Sequence, residues 1–293
     1  MKKIGTAIKN LRKMIGLSQR ELAQDICTQA QISKIEKNNE IPSAVTLYKI
    51  AERLGVDMNY FFEIHETPRI DYVNETKGYI RQLIRELNYL KISEMIDSEK
   101  KNPLFQNDKD IQFLYWHEAI CIHYLENKPL EAISLLQKAL FLTHTNNKRH
   151  FTETEFEILN SMAIIKKDMN CYEEAEADFR EGLNGLKYMH EYNSQIKIRV
   201  LYGLSKLLTD VERYEESLKY CEEGIGICKK QETLYILGEL FYQCGENYAK
   251  LGNSSAATSY FDRAIQVFDI QENKSFIDLV KQYRTELLGV NSQ

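Results

Sequence analysis

The side chains with the most specific chemical potential lie in one short polar stretch, residues 29–34. A glutamine amide such as Gln29 or Gln31 can pair with adenine through one donor and one acceptor, and Lys34 can reach guanine acceptors or a phosphate. The methyl group of Ala30 suits thymine, and Ser33 can contact either kind of base. This polar face has no core to fill, so we predict that it contacts DNA bases rather than serving as a protein-binding surface.

Two short helices must position these side chains. Ser18-Gln-Arg-Glu21 and Thr28-Gln-Ala-Gln31 both have the capping-box pattern, in which a hydroxyl residue and the Glu or Gln three positions later bond to each other's backbone amides. Flanking helices are predicted on both sides, one ending at Gly16 and one beginning after Pro42 and ending at Gly55. The apolar residues that recur at helical spacing are Ile4, Ile8, Leu11, Ile15, Leu22, Ala23, Ile26, Ile32, Ile35, Leu47, Ile50, Ala51 and Leu54.

Two short helices joined by a tight turn and braced by others describe a helix-turn-helix. In that geometry the second helix enters the major groove. Arg12, Ser18, Gln19 and Lys37 lie where phosphate contacts usually fall, and they would position the domain without specifying a sequence. Glu36 is expected to pair with Arg12 inside the fold rather than to touch DNA.

The same residues resemble the repressor/Cro-type helix-turn-helix family. The resemblance covers residues 4–62 and rests on Gln19-Arg-Glu-Leu-Ala23, Gln31-Ile-Ser-Lys-Ile-Glu36, and Pro42 with its following apolar residues. The turn departs from the pattern, because Cys27-Thr28 stands where many relatives have a glycine and one more residue. A slightly different approach angle to DNA is therefore expected.

Charge is distributed unevenly along the 293 residues. Residues 1–65 hold ten Lys/Arg against seven Asp/Glu, a net charge of +3, whereas residues 66–293 hold 28 against 36, a net charge of −8. A small basic domain on a larger acidic one suits a DNA reader that carries a control domain. Four prolines and thirteen glycines favour an all-α protein, and six scattered cysteines indicate reduced, mostly buried thiols. No stretch suggests a signal peptide or membrane span, so we expect a cytoplasmic protein.

Helical repeats are predicted after a linker at residues 64–73. The tetratricopeptide pattern places a small residue in the first helix of a pair and another twelve positions later in the second. The best copy has Gly245, Ala257, Phe261 and Ala264 at the expected offsets, and earlier copies begin at Ile80, Ile120, Ala163 and Ser205. The repeat-to-repeat steps are 40, 43, 42 and 40 residues, longer than the usual ~34, which extra helical turns would explain.

We therefore predict an all-α chain with a five-helix Cro-type helix-turn-helix domain (residues 1–63), the linker (64–73), and a superhelix of five degenerate tetratricopeptide repeats (74–289). Such arrays bind extended or helical peptides on their concave face. The repeat register assigns to that face Lys77, Arg81, Arg85, His117, Cys121, Tyr124, Asn160, Ile164, Lys167, Arg199, Tyr202, Lys206, Tyr242 and Glu246. Trp116 is predicted mainly to pack, with partial access to the groove.

These residues suit a short peptide. The amide of Asn160 can donate to and accept from a peptide backbone, and Arg81 and Arg85 can each take a carboxylate through two hydrogen bonds. The groove would then favour an acidic side chain or a free C-terminus. The alternative is a solvated helical face with scattered charges.

Taken over residues 4 to about 285, the chain resembles the PlcR-like peptide-pheromone quorum-sensing regulators of Gram-positive bacteria. Residues 112–116, 213–218 and 238–246 carry the resemblance beyond the first domain. It implies a homodimeric transcription activator that binds a palindromic operator in double-stranded DNA and responds to a short signalling peptide. It also implies peptide contacts at Arg85, Asn160, Gln243 and Phe276, and a junction role for Phe62. Gly203 and Leu87 replace polar residues of the family, so a different cognate peptide is expected.

Other chemistries have weaker support. His117 and Cys121 share a helical face with His123 nearby, but two or three such residues make a poor zinc pattern, and no metal or other cofactor is predicted. Cys221, Cys228 and Cys244 leave open a repressor controlled by thiol oxidation, although buried thiols are the commoner state. A regulator whose repeats bind a partner protein is a further alternative. No phosphate-binding loop, nucleophile motif or carboxylate pair indicates an enzyme.

Overall fold

The computed structural model describes residues 4–66, 69–144, 151–189 and 192–288, and these ranges contain sixteen α-helices and no β-strand. The chain divides into two compact units, residues 1–114 and 115–293. This division by packing falls inside a helix, and it differs from the domain boundaries expected from the sequence, which remain a prediction. Within the described ranges, no helix combines the length and apolar character needed to cross a membrane.

The first unit begins with the predicted five-helix domain. Ser18 and Thr28 cap α2 and α3 in complete capping boxes with Glu21 and Gln31, as the sequence pattern predicts. Gly16 and Gly55 adopt left-handed backbone angles just after α1 and α4. The helices are α1 (Ile4–Ile15), α2 (Gln19–Ala23), α3 (Gln29–Glu36), α4 (Ala44–Leu54) and α5 (Asn59–Glu66).

A tight contact between α1 and α3 sets the packing of this domain. A Cβ atom on Gly5 would lie 1.8 Å from the backbone oxygen of Ile35, so only glycine allows the two helices to approach this closely. The Gly5 amide also donates to Asn38 Oδ1 at 3.1 Å. Nearly all predicted apolar positions form one buried core with Phe61, whereas Ile15 at the end of α1 is 48% exposed.

Two further helices and the start of a third complete the first unit: α6 (Ile70–Arg85), α7 (Tyr89–Glu99) and α8 (Asp108–Glu126). The segment predicted as a linker, 64–73, covers the end of α5 and the first turn of α6, and residues 67–68 within it lie outside the described ranges. Lys77 on α6 forms an ion pair with the buried Asp110 on α8.

The second unit contains the rest of α8 and eight further helices. They are α9 (Pro129–Thr143), α10 (Glu153–Asp168), α11 (Tyr172–Leu186), α12 (Ser194–Asp210), α13 (Tyr214–Lys230), α14 (Leu237–Lys250), α15 (Ser254–Ile270) and α16 (Lys274–Leu288). Each helix from α9 to α16 packs on the next along the chain, so the predicted helical repeats are confirmed. The helices α10, α12, α14 and α16 also contact one another in turn, and we call them the first-helix layer.

Small residues bring these helices together at the predicted register. Ala132, Ala163, Ala175, Ser217 and Ala257 are all fully buried. Gly203 and Gly245 are each covered by a phenylalanine ring, Phe179 and Phe261, at distances that leave no space for a Cβ atom. Gly203, which departs from the expected family pattern, is therefore explained by helix packing.

The turn between the two helices of each repeat has one residue with a left-handed backbone. These residues are Leu87, Asn127, Asn170, Glu212 and Gly252. Leu87, the second departure from the family pattern, is thus a turn residue whose side chain is 58% exposed.

We predict that Gly5→Ala destabilises the first domain, because the added methyl group must push α1 away from the α3 backbone. A loss of about 1–3 kcal/mol is expected from such overpacking. Hydrogen exchange of the amides in residues 4–66 of the full chain measures it.

Gly78→Ala on α6 is the matched control, because no atom lies within 4 Å of its Cβ position. Alanine there should raise helix stability by about 0.5–1 kcal/mol. Equal exchange rates in the Gly5→Ala variant and the unmodified chain would show that the contact does not constrain the fold.

Candidate functional site

The start of α3 presents the predicted base-reading residues on the surface. Gln29, Ala30, Gln31 and Lys34 are exposed, and Ser33 is half-buried. Gln19 and Gln29 also line a shallow depression formed by α2, the turn after it and the start of α3. The predicted phosphate-contact residues Ser18 and Lys37 are exposed beside this face.

A chain of hydrogen bonds connects the buried interior to this surface. Gln29 Nε2 donates to Gln19 Oε1 at 2.8 Å, and Gln19 Nε2 donates to Glu36 Oε2 at 2.8 Å. Arg12 binds Glu36 through two nitrogens, at 2.5 and 3.0 Å. The orientation of the Gln29 amide is therefore set from inside the domain, leaving its oxygen and one N–H to face outward.

The ion pair between Arg12 and Glu36 also shifts the pKa values of both groups. Burial by itself would raise the pKa of Glu36, but hydrogen bonds from Arg12 and Gln19 outweigh it and hold that pKa below its ordinary value. The hydrogen bond to Glu36 raises the pKa of Arg12. Both groups are thus charged at neutral pH and form a buried, bidentate pair.

Arg12 needs a different assignment from the predicted phosphate contact. Its side chain is only 10% exposed, and it donates to Leu17 O at 2.6 Å in addition to Glu36. Arg12 therefore holds α1 against α3 and lies inside the domain. Its pairing with Glu36 is the one that the sequence predicts.

Gln31 differs from Gln29 because its side-chain amide already takes part in the cap of α3. Its Oε1 accepts from the Thr28 backbone amide at 3.2 Å in the capping box of α3. A two-bond contact with a base would require Gln31 to release this cap, whereas Gln29 can make such a contact without releasing its partner. The two glutamines look alike in the sequence, but Gln31 is engaged in a helix cap and Gln29 can contact a base as it stands.

In the second unit, the predicted peptide-contact residues lie on the first-helix layer and on α8. Trp116 is only 5% exposed and donates from Nε1 to Ser161 Oγ at 2.8 Å, which fixes α8 against α10. Tyr124 on α8 is 46% exposed and meets the His123 ring edge-on. Trp116 is therefore a packing residue, and Tyr124 lies at the surface.

Asn160 on α10 is one of the polar residues of this layer that have a buried atom without a hydrogen-bond partner. Its residue surface is only 6% exposed, and its Oδ1 atom has no hydrogen-bond partner. Ile164, one turn further along α10, is half-buried against the core around Phe179. A buried amide oxygen without a donor costs free energy, so this position is suited to a ligand that supplies an N–H group.

The basic residues of this layer are mostly paired with acids that the sequence analysis does not single out as partners. Arg199 on α12 forms an ion pair with Glu157 on α10, and its guanidinium lies 5.7 Å from the ring centre of Tyr235. Lys167 contacts Asp210 at 3.1 Å and Asp168 at 3.3 Å. Glu157 and Asp210 lie about forty residues from their partners along the chain, so only the folded repeat brings these pairs together. Asp168 is the neighbour of Lys167 in the sequence.

Two tyrosines and two glutamates lie where α12 meets α14. Burial, and to a smaller extent the Glu239 carboxylate, raise the pKa of Tyr202. Burial and then Glu246 raise the pKa of Tyr242. Lys206 is exposed, with its ammonium 5.8 Å from the ring centre of Tyr202.

Gln243 lies beneath this surface. It is 1% exposed, and its Nε2 donates to Thr209 Oγ1 at 2.8 Å and to Glu246 Oε2 at 2.9 Å. Thr209 in turn donates to Asn247 Oδ1 at 2.7 Å, within a buried polar network. This network was not predicted from the sequence, although Ser205 and Ser217, polar residues at small-residue positions of the fourth repeat, are a signal for it. Gln243 therefore supports Glu246 from below.

Phe276 on α16 packs against Phe268, with ring centres 5.0 Å apart. It is half-buried at the edge of the last hydrophobic core. It contributes to packing in the described structure.

The three remaining predicted residues belong to the first unit. Arg81 and Arg85 are exposed on α6, and the Arg81 guanidinium lies 5.1 Å from the ring centre of Phe113. Phe62 on α5 is 46% exposed.

The cysteines and histidines considered as alternative sites are mostly buried. Cys221, Cys228 and Cys244 are almost fully buried, and burial raises the pKa of Cys228 to about 11. A hydrogen bond with Cys221 raises the pKa of Cys244, and the same bond lowers that of Cys221. His117 is 1% exposed and packs against the Trp116 ring. Within the described ranges, no three His, Cys, Asp or Glu residues are placed to hold a metal ion.

Comparison with known proteins extends these observations. Residues 77–288 match the profile of the RNPP family C-terminal domain, and residues 5–63 match that of a helix-turn-helix domain. No curated protein matches the chain by sequence.

Solved structures match over nearly the whole chain. Bacillus thuringiensis PlcR, in complex with the peptide PapR7 and DNA, is 26% identical with a TM-score of 0.89, and the match covers 96% of this chain and 99% of that one. ComR from S. thermophilus, in complex with DNA and its signalling peptide ComS, is 16% identical with a TM-score of 0.66, covering 98% and 100%. The Streptococcus dysgalactiae SHP pheromone receptor Rgg2 is 15% identical with a TM-score of 0.61, covering 97% and 99%.

We predict that Glu36→Gln weakens the first domain at neutral pH and reduces its sensitivity to acid. Because the folded pKa of Glu36 is lowered, its stabilisation is complete above the unfolded value of about 4.3 and is lost as the pH falls through the folded pKa. The loss at pH 7 should be about 1–3 kcal/mol, since the Arg12 guanidinium stays buried without its charge partner. Hydrogen exchange in residues 4–66, measured at pH 7 and then at falling pH below about 4.3, reports both effects.

Glu52→Gln on the exposed face of α4 is the control and should leave the exchange rates unchanged. If Glu36→Gln and the unmodified chain lose protection equally on acidification, the buried ion pair does not contribute to the acid response.

Proposed function

Because the chain belongs to the RNPP family, we propose that it is a DNA-binding transcription regulator controlled by a short peptide bound on its first-helix layer. The unpartnered, buried oxygen of Asn160 carries the peptide part of this proposal. Exposed Gln29, held in one orientation by Gln19, supports the DNA part. Two similar structures, those of PlcR and ComR, each contain both DNA and a bound peptide.

The DNA-binding step combines two kinds of contact. Gln29 can donate its free N–H to adenine N7 and accept from adenine N6 without leaving Gln19. Ala30, Ser33 and Lys34 are the other base-facing candidates, with Gln31 available once it releases its cap. Exposed Ser18 and Lys37, with half-buried Gln19, would contact phosphates and set the register of the domain on the duplex.

The peptide-binding step rests on polar groups of α10, α12 and α14. Asn160 would accept a peptide N–H, and half-buried Ile164, Tyr202 and Tyr242 would give apolar surface. Arg81 and Arg85 on α6 are retained as candidate partners of a carboxylate, since both are exposed cations.

Control of DNA binding follows if the chain acts as a homodimer on a palindromic operator. Two helix-turn-helix domains then read half-sites one or more helical turns apart, and their separation decides the affinity. A peptide that favours one arrangement of the repeats would favour one separation. Such a coupling is typically about 1–3 kcal/mol and is reciprocal, so operator DNA would tighten peptide binding by the same factor. We place this activity in the cytoplasm and propose activation of transcription, with no catalytic step.

We predict that Gln29→Ala and Lys37→Ala separate specificity from affinity. Gln29→Ala should reduce binding to the preferred duplex by about 1–3 kcal/mol and leave binding to other sequences unchanged. Lys37→Ala should weaken binding to all duplexes alike and lower the salt dependence. Selection from a random duplex library, followed by titration against the selected and a scrambled duplex, measures both.

Lys49→Ala on the exposed face of α4 is the control for loss of a positive charge. A Gln29→Ala variant that still selects the same sequence with the same affinity would remove Gln29 from base reading.

We predict that Asn160→Ala reduces capture of peptides from the expressing cell by about tenfold, since one buried hydrogen bond to the ligand is lost. Peptides released by acid from the purified full chain would be identified and quantified by mass spectrometry. Binding of non-specific DNA should not change.

Asn184→Ala, at an exposed position on α11, is the matched control. Equal recovery of peptides from the Asn160→Ala variant and the unmodified chain would show that this amide does not face the ligand.

A further inference from the structure

The charged residues on the first-helix layer differ in whether they have a partner. Arg199 is paired with Glu157, and Lys167 is paired with Asp210. Each of these pairs joins neighbouring helices of the layer and offsets the cost of taking a charge out of water. Glu157 on α10 and Asp210 on α12 therefore have cationic partners from the chain itself.

Glu239 and Glu246 on α14 have no such cationic partner in the described part of the chain. The Oε2 atom of Glu239 is buried and has no hydrogen-bond partner. Glu246 receives a hydrogen bond from Gln243 at 2.9 Å, and Lys206 and Lys250 act on it only at longer range. In the described part of the chain, no Lys or Arg nitrogen lies within ion-pair distance of either carboxylate.

The side chains of Glu239 and Glu246 are half-buried. Burial raises the pKa of both Glu239 and Glu246. Both carboxylates act on the half-buried Tyr202, and Glu246 acts on Tyr242 as well. Glu239 and Glu246 therefore share the α14 surface with Tyr242 and lie near enough to Tyr202 to act on its pKa. On such a surface an ammonium or guanidinium group can gain charge pairing and ring contact.

A second feature of the same layer points to a ligand rather than to an isolated pair of acids. Asn160 Oδ1 on α10, Arg199 Nε on α12 and Glu239 Oε2 on α14 are all buried and lack partners. They lie on three helices that contact one another in sequence. Neighbouring helix axes are about 8–10 Å apart, so the outer two are separated by about 16–20 Å. An extended peptide covers that distance in about five or six residues.

We propose that Glu239 and Glu246 form a cation-binding subsite of the peptide groove, which selects a peptide with an ammonium or guanidinium group about five or six residues from the one at Asn160. This inference rests on the proposed peptide-binding function and adds the charge of the ligand to it. The cationic group is either the free N-terminus of the peptide or a Lys or Arg side chain. Glu239 meets the group directly, and Glu246, about two turns further along α14 and held by Gln243, adds its charge at longer range.

The test uses two positional-scanning octapeptide libraries, identical except that one has free and the other acetylated N-termini. Each is passed over the immobilised full chain, and the retained peptides are sequenced by mass spectrometry. We expect peptides with a basic side chain at one position, or with a free N-terminus, to be enriched at least about tenfold. Selective loss of binding on acetylation identifies the N-terminal ammonium, and enrichment that survives acetylation identifies a side chain.

Glu239→Gln keeps the shape of the side chain and removes its charge. It should therefore abolish the enrichment of cationic peptides, while peptides without a cationic group are still retained. Glu246→Gln should reduce it, and Glu239→Lys should enrich Asp and Glu instead. Glu215→Gln, at an exposed position on α13, is the matched control, and circular dichroism melting verifies that every variant is folded.

The failures are distinguishable. If the unmodified chain retains no peptide from either library, the proposed function fails and the subsite with it. If it retains peptides without preference for a cationic group, or if Glu239→Gln keeps the full enrichment, the subsite is refuted and peptide binding stands.

Discussion

Close approach of helices at small residues is the constraint on which the rest of the structure depends. Alanine, glycine and serine at fixed repeat positions leave space for a phenylalanine or leucine from the facing helix, as at Gly203 with Phe179 and Gly245 with Phe261. Side chains that pack at native density allow little adjustment, so each contact determines the spacing of two helices. Repetition of this contact places α10, α12 and α14 side by side and creates their shared polar surface.

That surface is governed by the cost of burying polar groups. Most charges on it are offset by partners from a neighbouring helix, such as Glu157 with Arg199. The atoms left without partners, Asn160 Oδ1 and Glu239 Oε2 among them, define where a ligand can contribute hydrogen bonds that the protein lacks. In the first domain, the cost of burying charges is offset within the protein itself. The buried pair of Arg12 and Glu36 is complete, and it serves to orient Gln19 and Gln29 at the surface.

Local patterns account for most of the fold that could be predicted. The capping boxes at Ser18 and Thr28 mark helix starts because the hydroxyl and the residue three positions later interact within one turn. The spacing of Ala163 and Ala175 reveals a helical hairpin because both positions recur at the same offset in each repeat. Gly203 shows the limit of such patterns, since as a departure from a family sequence it suggests altered peptide contacts, whereas the structure shows a packing contact with Phe179.

The amino-acid sequence by itself determined the helical class, the helix-turn-helix, the five repeats and most of the surface residues of α3, because these depend on interactions between residues close in the chain or repeated at a fixed period. Only the tertiary structure decided which side chains are free to act. It fixed the Gln29 amide through Gln19 and identified Ser161 as the partner of Trp116. It also left Asn160 and Glu239 with unpartnered atoms. The physical reason is that hydrogen bonding and burial depend on neighbours from other helices, tens of residues away, whose positions no local pattern specifies.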